Sequence, residues 1–189
     1  MSADVRTIPA QRPARATVVI VAAGSVVLLA RPFVGVAPDA RVLLFATAYL
    51  VLAASSLAVS AANERPRVAT SFVLGIGVAS IVFASTIAGP SVPTPHASLA
   101  LPLSLLAAVA EEALFRRVAY ARLARFGALV AVAGSAILFG MVHLPAYGVA
   151  ALPVDLGAGV LFGWQRWASG TWLVPAGTHA FANAVAIVR

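Results

Sequence analysis

Two stretches of this chain, Val42–Ala62 and Val68–Ala88, each run 21 residues without one charged side chain. At 1.5 Å per residue such a run spans the roughly 30 Å hydrocarbon core of a bilayer. Lipid offers no partner to backbone N–H and C=O groups, so a segment that crosses it must satisfy them itself. A helix does so within one segment. A transmembrane strand would alternate polar and apolar residues, and these runs do not. The expected fold class is therefore all-α, a polytopic transmembrane helix bundle.

Composition agrees: 61% of the 189 residues are hydrophobic, 10% are charged, and mean hydropathy is +0.98. The absence of cysteine removes disulfides, thiolate metal sites and a thiol nucleophile. The net charge of +7 comes from arginine, with no lysine present. These arginines are scattered between apolar segments, which reads as topology signalling rather than nucleic-acid binding.

Seven spans are expected. Met1 to residue 15 is a basic polar tail read as disordered. The first apolar segment, from Ala16 to Ala30, reaches toward Val36 across Pro32. A basic start before a short apolar core also resembles a signal peptide, but no clean cleavage site follows. The second and third spans are the two charge-free runs, with Gly75 and Gly77 permitting close packing in the third. Gly89–His96 holds three prolines and reads as a loop, with His96 exposed. A fourth helix runs from about Ser98 or Pro102 to Arg125. A fifth covers Ala128–His143 and is stopped by Pro145. The sixth covers Val154–Trp167 and the seventh Trp172–Val188. Trp164, Trp167 and Trp172 read as interfacial residues without chemistry.

This divides one membrane domain into a tail (1–15), N-terminal helices (16–96) and a core (97–189). One side of the seven spans carries Arg6, Arg12, Arg15, Arg65, Arg67, Arg122, Arg125 and Arg166. The other carries Arg31, Arg41 and Arg189. The excess places the N-terminus in the cytoplasm. No inverted repeat marks a transporter.

Against this background Glu111-Glu112-Ala-Leu-Phe-Arg116-Arg117 stands out, since it holds two of only six acidic residues. A carboxylate at the middle of a membrane helix costs about 2.5–3.5 kcal/mol on insertion scales. Counted from Pro102, Glu111 lies roughly 14 Å along the helix, near mid-bilayer. Glu112 and Arg116 are four apart and share a face. Glu111 has no cation at matching spacing and reads as the free carboxylate, the form a general base needs. Taken alone, Glu111 to Phe126 also scans as a surface-lying amphipathic helix, with Arg117, Arg122 and Arg125 toward water.

Three further polar residues lie in apolar helices. Phe139 and His143 are four apart, as are His179 and Asn183. Each alone is explained by packing or a helix–helix hydrogen bond. Asp155 reads as a helix-end charge. Together, Glu111, Glu112, His143, His179 and Asn183 fall at similar depths of separate helices. Ionisable groups in lipid turn toward the bundle interior, so they are expected to converge. A carboxylate, two imidazoles and an amide form a hydrolytic set.

The ordered set Glu-Glu-x-x-x-Arg, Phe-x-x-x-His and His-x-x-x-Asn, spread over Leu99–Asn183, resembles the CAAX protease and bacteriocin-processing family of intramembrane endopeptidases. That family includes the Ras-converting CAAX endopeptidases and bacteriocin self-immunity proteins. The resemblance implies that Glu111 activates water with His143 assisting. It implies that Glu112 and Arg116 organise the site and that His179 with Asn183 forms the oxyanion hole. It implies a multi-pass protein of the cell membrane acting on a membrane-associated peptide or protein, with no nucleic acid as partner. The family has been described both as glutamic and as metalloproteases. A zinc ion on Glu111, His143 and His179 is the metal alternative, but no His-Glu-x-x-His is present, and metal-free chemistry is expected. Two other classes are kept open: a non-catalytic immunity or partner-binding protein on the same scaffold, and a proton-coupled carrier.

Overall fold

The computed structural model describes residues 14–59, 64–87 and 97–188. The tail before Ala14, the loop 88–96 with His96, and the end of the second span at 60–62 lie outside the described residues. Within them every regular element is helical. They are α1 (Ala14–Ala30), α2 (Pro38–Ala58), α3 (Thr70–Ile87), α4 (Ala97–Glu112), α5 (Tyr120–Leu123), α6 (Ala128–Tyr147), α7 (Leu152–Ser169) and α8 (Leu173–Val188). Four helical stretches are long and apolar enough to cross a bilayer: Arg15–Phe33, Pro38–Ala58, Thr70–Ile87 and Ala128–Tyr147. Helix α8 is apolar but shorter.

The fourth segment departs from the expected single α-helix. After Glu112 the chain widens into a π-helical stretch, Ala113–Ala119, and returns to α geometry in α5. The Tyr120 N–H reaches back to Phe115 O, an i→i+5 closure. The extra residue per turn lets two adjacent arginines both find acceptors. Arg116 turns to Glu112 and to Gly159 O. Arg117 donates to Ser56 O and Val59 O at the end of α2. Residues 111–120 are buried apart from half-buried Arg117, so the surface-helix reading is wrong for this segment.

The fifth helix also runs past its expected stop. Pro145 sits inside α6, which ends where Gly148 takes φ 77° and donates to Leu144 O at 2.9 Å. A positive φ is what glycine tolerates and other residues resist. Proline costs the ladder its own N–H and crowds the carbonyl four residues back, yet the helix carries on for two more residues.

Packing brings α6 against α7 and α4 against α8 and α2. The core between them contains Leu28, Tyr49, Leu52, Leu114, Phe115, Phe139 and Phe162. At the α6–α7 crossing, a Cβ on Gly159 would come within 2.9 Å of Ala136 Cα. The same glycine offers its carbonyl to Arg116 at 3.0 Å. Gly159→Ala is therefore expected to part the two helices and lengthen that bond, costing about 1–3 kcal/mol. A lower thermal midpoint in detergent checks this. Gly77 meets Gln165 and Thr178 closely, whereas Gly75 has nothing near it, so only the first serves helix packing.

Two arginines counted as topology signals turn out to be structural. Arg166 is 2% exposed, donates to Arg116 O at 3.2 Å and lies over the Tyr120 ring. Arg31 leaves the end of α1 to enter the interior. Removing both from the arginine count leaves the same side richer. Trp164 and Trp167 pack against Val73, Ala168 and Val174, and Arg67 lies over Trp167 at 5.2 Å.

Candidate active site

The end of α4 presents two carboxylates in different surroundings. Glu112 has no exposed side-chain surface. Its Oε1 accepts from Arg116 Nη1 at 3.0 Å and lies 3.1 Å from His179 Nδ1. A carboxylate accepts only, so Nδ1 of His179 carries the proton here. The Arg116 guanidinium is sandwiched among rings, 4.7 Å from the Phe139 centroid and 5.3 Å from that of Phe162. Such faces suit a desolvated cation.

Glu111 faces a cavity of about 300 Å³ whose wall includes Arg31, Tyr49, His143, His179 and Asn183. Its Oε1 accepts from Arg31 Nη1 at 2.9 Å, and the same nitrogen reaches Tyr49 OH at 3.2 Å. The expectation of a carboxylate without a cation is thus corrected. The partner comes from 80 residues away in sequence, where no helical spacing rule reaches.

The second oxygen, Oε2, is buried without a hydrogen bond and lies 3.5 Å from His143 Nε2. His143 Nδ1 is 2.7 Å from Phe139 O. A carbonyl accepts, so Nδ1 carries a proton, and Nε2 is the nitrogen that faces the carboxylate.

The aromatic residues set the spacing. Phe139 stands 4.3 Å from the His143 ring and edge-on to His179 at 5.5 Å. Phe162 stacks on His179 at 5.1 Å. Tyr147 stacks on His143 at 5.7 Å and 12°. Asn183 donates from Nδ2 to Ser104 O at 3.0 Å, which ties α8 to α4 and leaves the amide's second N–H uncommitted.

All six residues expected at the site are brought together. Glu111, His143, His179 and Asn183 line the cavity, while Glu112 and Arg116 lie behind its wall. Sequence reasoning missed Arg31, Tyr49 and Tyr147. The available signal for Arg31 was an arginine directly after an apolar run, which topology counting absorbed.

Fold and site define a helical membrane protein in which two acid–imidazole pairs meet beside one cavity. Residues 93–185, just under half of the chain, match the family described as Rce1-like, type II CAAX prenyl endopeptidase Rce1-like. No curated protein and no solved structure matches the chain.

Proposed function

We propose that this chain is an intramembrane endopeptidase that hydrolyses a peptide bond of a membrane-associated protein by carboxylate-activated water. The reading places it as a multi-pass protein of the cell membrane, with seven spans and a cytoplasmic N-terminus. The core is 97–189, joined at the site by Arg31 and Tyr49. The observation that carries the reading is Oε2 of Glu111, buried without a hydrogen bond, facing His143 Nε2 at 3.5 Å in the wall of the cavity.

In this mechanism a water donates one hydrogen to each of those atoms. Glu111 takes the proton as the water oxygen attacks the scissile carbonyl carbon. His143 holds the water and shares the proton. The charge that forms on the carbonyl oxygen is met by Asn183 Nδ2 and by His179 Nε2. Because His179 Nδ1 already donates to Glu112, its Nε2 can donate only as imidazolium. The Glu112 carboxylate stabilises that cation, and Arg116 keeps Glu112 in place. The proton on Glu111 then passes to the departing amine.

The metal alternative fits these residues poorly. Among the described residues no group of three such side chains is disposed to hold an ion. Each carboxylate already carries a guanidinium at 2.9–3.0 Å, which would repel a dication. Hydrolysis is therefore expected to proceed unchanged after chelator treatment and dialysis of the purified protein. Stoichiometric zinc that restores a chelator-lost activity would reverse this part.

Peptidomics of membranes carrying wild-type or Glu111→Gln protein tests the function. Peptide termini that depend on Glu111 are expected. Their absence, with both proteins accumulating equally, would favour the partner-binding reading. The carrier reading is disfavoured by Arg31, which pins the carboxylate that would have to shuttle protons.

A further inference from the structure

We propose that Arg31 is a positioning residue for the hydrolysis, an inference that rests on the function proposed above. It lies outside the family-matched stretch 93–185, so nothing in the match speaks for it.

A carboxylate has two equivalent oxygens and turns freely about its last bond unless one is held. Arg31 Nη1 holds Oε1 of Glu111 at 2.9 Å, and the Tyr49 hydroxyl at 3.2 Å holds the same nitrogen. Only Oε2 is then left to face His143. Both partners are withdrawn from solvent, with side chains 15% and 3% exposed. Water therefore competes weakly for the pair, and the geometry persists.

The guanidinium is also poorly served by anything else. Its Nη2 is buried without a hydrogen bond. What Arg31 gains by entering the bundle is Glu111, and what Glu111 gains is one fixed orientation.

Misplacing a reacting group by about 1 Å costs on the order of a hundredfold in rate. The test uses the full-length chain in lipid vesicles, with a quenched prenylated peptide ending in a CAAX sequence. Arg31→Gln is expected to lower kcat on the order of a hundredfold and leave KM unchanged. Arg31→Lys is expected to lie between. Because the chain contains no lysine, that variant carries a single lysine side chain. O-Methylisourea converts it to homoarginine, and this treatment should raise kcat again.

Wild-type kcat in Arg31→Gln would overturn the proposal, as would a rise in KM alone, which marks a substrate contact. If Arg31→Gln does not accumulate, Arg31→Lys decides. Full kcat before treatment, or no gain after it, counts against the proposal. Should Glu111→Gln be inactive while Arg31→Gln is fully active, this inference falls alone. Should peptidomics find no Glu111-dependent termini, it falls with the function on which it rests.

Discussion

Replacing Glu111 by glutamine is expected to reduce peptide hydrolysis by about 10²–10⁴-fold, the usual contribution of a positioned general base. That corresponds to roughly 3–5 kcal/mol of barrier. Glutamine is the informative choice because of Arg31. Its amide oxygen can still accept from Nη1, so the buried guanidinium keeps a partner. Alanine would leave Arg31 as a buried charge without compensation, a loss of about 3–5 kcal/mol of stability. Turnover of a membrane-anchored reporter, normalised to protein extracted from the membrane, measures the first effect. A thermal melt in detergent measures the second. Glu111→Gln is expected to melt below wild type and Glu111→Ala lower still. Full turnover by the glutamine form would remove Glu111 from the mechanism.

The second large effect is expected at Arg116. Its side chain is fully buried, bound to Glu112 and to Gly159 O at 3.0 Å each, and enclosed by Phe139 and Phe162. Arg116→Met keeps much of the volume but strips Glu112 of its cation. Breaking a buried pair from one side costs about 3–5 kcal/mol, a large part of the 5–15 kcal/mol that typically holds a domain together. The variant is expected to accumulate poorly and to melt early. Adding Glu112→Gln should recover part of the loss, since the stranded charge is then gone. If the double variant is no better than the single one, ion pairing is not what Arg116 contributes, and its ring contacts carry the stability.

Much of this site was legible because membrane helices make polar residues conspicuous. Glu111, Glu112, His143, His179 and Asn183 were visible as exceptions in apolar runs. Their convergence followed from the cost of facing lipid. The Glu112–Arg116 pair was visible from i,i+4 spacing, and the structure forms it. Arg31 was not visible, because a long-range ion pair leaves no periodic trace. A cation at a helix end looks the same whether it faces headgroups or bends inward. The π-helical stretch was equally hidden. Nothing in Ala113–Ala119 breaks a helix locally, and its wide turn answers to acceptors on α2 and α7. The tautomers of the two histidines depend on which acceptor each Nδ1 meets, a fact of packing alone.

The Arg31–Glu111 bridge has a consequence for anyone who wishes to move this machinery between proteins. The family match covers residues 93–185, yet the cation paired with Glu111 comes from Arg31, just past an earlier helix. A graft of the signature segment onto another membrane scaffold would transplant an acid stripped of its counterion. Arg31 and Tyr49 would have to travel with it, or the host would need an equivalent cation of its own.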